Sequence, residues 1–444
     1  MSRSLVSAAR LRWLAPALGA LLPVAARAEG EAVADSGDTA WMLCATALVL
    51  FMTIPGLSLF YGGLVRTKNM LSVLMHCFVL TCLVTLLWLA YGYSLAFDTT
   101  GMQAGVTTFH SFVGGLGKAF LAGVGPGSVW GSIPEPLFFA YQLTFAIITP
   151  ALIVGAFAER MKFSAMLVFM TGWLSFVYLP VCHMVWGGAG AFFADRGVLD
   201  FAGGIVVHIT AGVAALVLCI VIGPRTGWPT TPMLPHNLGL TVAGTGMLWV
   251  GWYGFNAGSA LSAGGSAAMA LVVTQISAAT GALSWMAVEW RHRKKPSVLG
   301  ICTGAVAGLA AVTPASGFIG PVGGLAIGLV SGGACYFAAV SLKPRFGYDD
   351  SLDVFGVHGV GGFLGTVLAG LFCAPVFGGL LPDRSIPTQL GVQLSAALAA
   401  VAYTAAVSFA LAKGVDAWIG LRVADLGEEQ GLDLNVHGER GYNL

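Results

Sequence analysis

Residues 203–223 read GGIVVHITAGVAALVLCIVIG, a run without Asp, Glu, Lys or Arg and with one histidine, His208. About 20 consecutive apolar residues are enough for an α-helix to cross the hydrocarbon core of a bilayer. An imidazole inside such a run is costly to bury unless its nitrogens find partners. A second histidine, His358, stands in DVFGVHGVGG (353–362), again apolar and rich in glycine. Something must compensate the burial of two rings.

The rest of the chain has the same character. It is 57% hydrophobic and 9% charged, with a mean hydropathy of +0.83, whereas ordinary globular chains carry roughly 25% charged residues. So little charge cannot cover a water-facing surface, and the solvent for most of the chain must be lipid. A net charge of +1 gives no support to nucleic-acid binding. The eight cysteines (44, 77, 82, 182, 219, 302, 335 and 373) lack CxxC spacing, so neither a zinc site nor a disulfide framework is indicated. They read as small core residues.

Residues 1–28 read as a cleaved signal peptide: a basic start (Arg3, Arg10, Arg12), the apolar run WLAPALGALLPVAA, and Ala-Arg-Ala at 26–28. Windows of about 20 residues then mark eleven spans. These are 40–63, 70–96, 136–158, 163–187, 203–223, 237–257, 267–288, 298–314, 319–342, 354–377 and 392–418. Loops after odd-numbered spans, with the tail, hold fourteen Lys and Arg; loops after even-numbered spans hold Lys118, Arg196 and Arg384. The excess places the odd-span loops in the cytoplasm, the amino terminus outside and the tail inside. The domain reading is a signal peptide (1–28), a transmembrane domain (29–421) and a cytoplasmic tail (422–444).

Glycine is 62 of 444 residues, about twice the usual ~7%, and it clusters inside spans, where small residues let helix backbones approach closely. His208 falls in the fifth span and His358 in the tenth, each preceded by an aspartate, Asp200 and Asp353. Five spans is an odd number, so a second copy would be inverted across the membrane. The expected fold is all-α and integral to the membrane, an inverted 5+5 repeat plus one extra helix, with a solute path at the repeat interface.

Two aromatic faces accompany the histidines. In GWYGFNAGSA (251–260), Trp252, Phe255 and Ser259 stand at i, i+3 and i+7 on one helical face. In FFAYQLTFAIITP, Phe138, Tyr141 and Phe145 repeat that spacing, and HMVWGG sets Trp186 at the end of span four. Any one of these could be core packing. Together with a hydroxyl and two imidazoles they suggest a path for a small cation-derived solute, because aromatic faces attract a desolvated cation.

FYGGLVRTKN (60–69), GAFAERMKFSA (155–165), HMVWGG (183–188), LDFAGGIVVHI (199–209), GWYGFNAGSA and DVFGVHGVGG resemble the ammonium transporter (Amt) family, in its bacterial, channel-like branch. The resemblance runs in order from about residue 40 to the tail. It implies a homotrimer with one narrow pore in each protomer, in a bacterial inner membrane. It places an outer ammonium site on Trp186, Ser259 and Phe145, a phenyl gate on Phe145 and Phe255, and twin pore histidines on His208 and His358. Supporting roles fall to Asp200 and Trp252, and to Asp353 on the inner side. Tyr141 stands where the family usually has phenylalanine.

Two facing imidazoles can share one proton, each occupying the other's nitrogen, while their free edges offer a donor and an acceptor to a small molecule. Carrying an intact cation through an apolar tube costs several kcal/mol. Ammonium can avoid that cost by giving up its proton; potassium cannot. The tail segment GLDLNVHGERGY is similar to the family's cytosolic motif, so His437, Gly438, Glu439 and Tyr442 are expected in a regulatory tail that a PII-type signalling protein would read. No cofactor or metal is expected. A sensor of the same family should carry a signalling domain after the tail, and an intramembrane metalloenzyme should show HExxH or another clustered ligand set. Neither pattern is expected of this sequence.

Overall fold

The structure, a computed structural model, describes residues 33–442. The expected signal peptide, 1–28, lies outside the described residues. Among these residues eleven helices carry the fold: α1 (Ser36–Leu64), α2 (Thr67–Phe97), α3 (Glu135–Phe157), α4 (Phe163–Trp186), α5 (Gly204–Ile222), α6 (Leu238–Gly258), α7 (Gly265–Arg293), α8 (Val298–Val312), α9 (Pro321–Phe346), α10 (Phe355–Phe372) and α11 (Ile386–Ile419). An antiparallel pair, β1 (Val129–Trp130) and β2 (Ile133–Pro134), lies in the long α2–α3 connection. Each expected span coincides with one helix. Nine of them are long and apolar enough to cross a membrane; α6 and α8 are the other two.

Those two differ for physical reasons. The α6 sequence is diluted by glycine, threonine and asparagine, and it turns Trp252, Phe255 and Asn256 into the protein. Helix α8 has 15 residues, about 22 Å at 1.5 Å per residue, less than the ~30 Å hydrocarbon core. Every α8 residue from Cys302 to Val312 is buried, so this helix is surrounded by protein. Six of the eight cysteines are buried as expected, while Cys44 and Cys82 are exposed. On the outer face of an apolar bundle a thiol rests in hydrocarbon as readily as in a core.

The histidines are brought together by a close helix crossing. Helices α5 and α10 each contain a wide π turn near the start, Gly204–Ile209 with His208 and Phe355–Gly359 with His358. A Cβ placed on Gly212 would lie 2.2 Å from the Gly359 amide nitrogen, and one on Gly362 would lie 2.6 Å from His208 Cβ. No side chain fits between these backbones, so glycine lets α5 and α10 touch where their histidines face.

On the side of the bundle that carries the tail, buried charges bind the loops together. Glu159 pairs with Arg66 at 2.7 Å and with Arg225 at 3.4 Å, and Arg225 pairs with Asp349 at 2.8 Å. Arg160 is fully buried and donates to Gly223 O, Ser351 Oγ and Asp349 O. Burial works against charge on Glu159, but Arg225 and then Arg66 outweigh it and hold the carboxyl below its ordinary range. Asp349 is likewise opposed by burial and held low by Arg225.

The tail folds as α12 (Asp425–Gln430) and α13 (Leu432–His437). Asp433 accepts from the Leu71 and Ser72 amides at 3.0 and 2.7 Å, occupying donors left open in the first turns of α2. Leu432 N donates to Asn69 Oδ1, and Glu428 takes Thr226 N and pairs with Arg422. The His437 ring meets Phe163 edge-on at 5.4 Å, Glu439 N donates to Asp433 O, and Tyr442 Oη lies 3.2 Å from His236 Nε2. Gly438 terminates α13 at φ +69°.

Candidate functional site

Three cavities involve the expected site residues. The first, of about 150 Å³, is lined by Trp130, Phe138, Gln142, Phe145, Trp186, Phe201 and Ser259 among others. Trp186 ends α4 and donates its indole N–H to Asp200 O at 2.8 Å, which fixes the ring. It meets Phe145 edge-on, 90° between planes and 5.8 Å between centroids. Trp130 and Phe138 stack at 4.3 Å and 7°, forming a further aromatic wall. Ser259 follows the last turn of α6 and donates to Phe255 O at 2.9 Å, so its oxygen can accept, with one lone pair within reach of the Tyr141 hydroxyl and the other open to the cavity.

Helix α3 presents Phe138, Gln142 and Phe145 to this cavity, spaced i, i+4 and i+7. Tyr141 turns instead toward α6, its hydroxyl 3.0 Å from Gly254 O, 2.9 Å from Phe255 O and 3.2 Å from Ser259 Oγ. A helix of 3.6 residues per turn accommodates i+3 and i+4 equally, so the spacing of Phe138, Tyr141 and Phe145 was compatible with the wrong middle residue facing inward. Gln142 Oε1 is buried and has no hydrogen-bond partner. Leaving such an acceptor unpaired costs about 1–3 kcal/mol.

Phe145 and Phe255 stand with centroids 4.3 Å apart and planes tilted 38°, and they separate the first cavity from the second. The second is a small chamber of about 10 Å³, walled by Met52, Leu57, Ile148, Leu248, Trp252 and both histidines among others. That is space for roughly one water-sized molecule. His208 Nδ1 and His358 Nδ1 are 3.2 Å apart, with rings 5.2 Å between centroids. One ring donates and the other accepts, so each imidazole occupies a nitrogen of the other. The far nitrogen of His208, Nε2, is buried without a partner. Trp252 stacks on His208 at 5.6 Å and anchors its N–H on Thr313 Oγ1 at 2.9 Å.

The third cavity, about 380 Å³, begins at His358 and opens on the side of the bundle that carries the tail, among Arg225, Trp228, Glu289, Lys343 and Asp353. Phe60, Val306 and His358 line both this cavity and the histidine chamber, and the Phe145–Phe255 contact stands between that chamber and the first cavity, so the three spaces follow one another in order.

Each histidine-bearing helix starts on a carboxylate upstream, though not in the way the sequence suggested. Asp200 Oδ1 accepts from the Gly203 and Gly204 amides and Oδ2 from those of Ile205 and Val206, covering the open donors at the start of α5. Asp353 was expected to be its counterpart. It instead pairs with Lys343, and Asp350 is the residue that accepts from the α10 start, Phe355 N at 2.7 Å. The reason is local: Asp353 adopts a left-handed conformation, φ +60°, at the entry to the helix. Burial, then the neighbouring Asp353 charge, pushes the Asp350 carboxyl up to about 6 against the pull of Lys343. The eight-residue spacing shared by Asp200–His208 and Asp350–His358 was the available signal.

Residues 40–442 match the model of the Ammonium Transporter Family. The chain belongs to this family. It is 46% identical over 422 residues to an ammonium transporter of Aquifex aeolicus, covering 93% of this chain and 95% of that one. It is 45% identical over 414 residues to an ammonium transporter of Bacillus subtilis, covering 91% and 98%. Among solved structures it is similar to Candida albicans Mep2 (36% identity, TM-score 0.80, 88% and 87% covered) and to a sensor Amt protein (26% identity, TM-score 0.82, 90% and 98% covered). The family match spans all three cavities and the tail, so the Amt-like motifs and the geometry concern the same part of the chain.

Proposed function

We propose that this Amt family member is an ammonium transporter, not an enzyme, that recruits ammonium at the Trp186 cavity and conducts ammonia through the histidine chamber into the cytoplasm. Family membership and relatives named as ammonium transporters support the substrate. The ring faces of Trp186 and Phe145 attract the cation, and Ser259 Oγ accepts one of its N–H groups. At the Phe145–Phe255 gate an N–H bond breaks. Ammonia passes on, and the proton goes either to water on the outer side or to an imidazole nitrogen of the histidine pair, which relays it. Asp200 and Trp252 hold His208 in place, Tyr141 tethers Ser259, and Asp350 takes the inner supporting role expected of Asp353.

With α6 and the short, protein-enclosed α8 counted, eleven helical segments form an inverted 5+5 repeat plus α11 in the membrane, with the amino terminus outside and the tail inside. The protein acts as a homotrimer in a bacterial inner membrane, and the tail residues His437, Gly438, Glu439 and Tyr442 belong to a segment read by a PII-type protein. The Lys and Arg asymmetry supports this orientation.

The observation that carries the reading is the Nδ1–Nδ1 contact of 3.2 Å in a chamber with room for about one small molecule. Replacing both histidines with leucine strands no polar partner, so trimer assembly should survive, while ammonium-driven current in liposomes should fall or lose its selectivity against potassium. Equal currents and equal selectivity at matched trimer content would make the histidines packing residues and defeat the mechanism.

A further inference from the structure

We infer that Gln142 is a second hydrogen-bond acceptor for the cation in the Trp186 cavity, and that it sets the affinity of recruitment. The inference rests on the transport reading above and adds a residue to it.

The cavity has three aromatic walls, Trp186 with Phe145, Trp130 with Phe138, and Phe201. Ring faces satisfy a cation's charge but accept its N–H groups weakly. Ammonium brings four donors. Ser259 supplies one oxygen, whose own proton is already committed to Phe255 O. Gln142 supplies the other side-chain oxygen of the lining, more than nine-tenths buried and unpartnered. It is carried on the face of α3 between Phe138 and Phe145, one turn from each, so the residue borders the cavity beside these rings. Its oxygen is closed off in the resting conformation, and rotation about the broad two-fold torsion of the terminal amide turns the carbonyl to an entering cation. A glutamine carbonyl has no proton to give and two lone pairs to offer. An aliphatic side chain of the same length would pack among these rings without leaving an orphaned acceptor. The position is costly for a polar group unless something with N–H donors enters.

The lining of this space includes no carboxylate side chain. Recognition by neutral oxygens suits a site from which the ion must also leave and shed a proton, since a buried counter-charge would hold the cation as a cation.

The test uses the full chain in liposomes, with ammonium-driven flux measured across a concentration series for wild type, Gln142→Met and Gln142→Glu. Methionine keeps the length and removes the acceptor; glutamate keeps the acceptor and adds charge. Loss of a hydrogen bond to a charged group predicts a rise of about tenfold or more in half-saturating ammonium for Gln142→Met, with maximal flux within about twofold. Gln142→Glu should lower half-saturation and depress maximal flux. A half-saturation for Gln142→Met within about twofold of wild type would mean that water alone occupies the amide, and would overturn the inference. If Gln142→Met fails to assemble, an unchanged half-saturation in Gln142→Glu overturns it instead. Absence of ammonium flux in wild type would defeat the transport reading itself, a distinct result.

Discussion

Helices α5 and α10 each carry a histidine in a π turn eight residues after a buried aspartate, yet the two aspartates are used differently. Asp200 commits both oxygens to four backbone amides and, among the described residues, has no ion-pair partner. Asp350 accepts from Phe355 N, keeps Oδ1 unpartnered, and lies within reach of the Lys343 and Asp353 charges. The first arrangement is a closed helix cap beside an aromatic cavity. The second lies buried behind Lys343 and Asp353, which line the large third cavity. Equal spacing in sequence therefore builds equal placement of the rings without equal electrostatics, because the neighbours come from other helices.

The comparison is broken most completely at the crossing itself. Gly212→Leu would drive a side chain into the Gly359 backbone, where overpacking costs about 1–3 kcal/mol and more when backbone must move. Assembled protein on size exclusion should be lost, whereas Gly414→Leu, at a position with open space, should leave it unchanged. Recovery of assembled Gly212→Leu with wild-type thermal stability would show that the histidines do not depend on this contact.

Alanine at each aspartate sharpens the contrast. Asp200→Ala uncovers four buried amides and should destabilise by roughly 2–5 kcal/mol, while Asp350→Ala, which frees one amide and leaves Lys343 held by Asp353, should cost about 1–2 kcal/mol. Thermal unfolding in detergent ranks the two, and the reverse order would refute the cap assignment.

The smallest effect concerns pH. Glu159 and Asp349 are held below their ordinary values of 4.5 and 3.8 by arginine neighbours. A depressed carboxyl contributes stability that is whole above the unfolded value and lost as pH falls through the folded one. Melting temperature should therefore be flat with respect to this network from neutral pH to about 5, then fall as the solution is acidified further. Arg225→Met should flatten that acid limb. An identical limb in the variant would remove the network from the account.

Much of this was legible in the residues. The run at 203–223 announces a buried helix, and the distance of His208 from any charge announces a cost that needs a partner. Helical periodicity put Trp252, Phe255 and Ser259 on one face, and they do line adjoining cavities. It could not separate Tyr141 from Gln142, since both spacings suit one helix face, and it could not show that Asp350 rather than Asp353 reaches the α10 amides. Nor could apolarity distinguish α8, buried in protein, from helices facing lipid, because both surroundings reward the same side chains.

Composition and pattern determined the class of solvent, the helices and the residue types of the path, because burial in hydrocarbon selects those directly from local sequence. Tertiary structure alone decided which nitrogen meets which, which side of α3 is a wall, and how wide the chamber is. Those depend on glycine contacts between helices about 150 residues apart in sequence, where a shift smaller than one methyl group changes the answer.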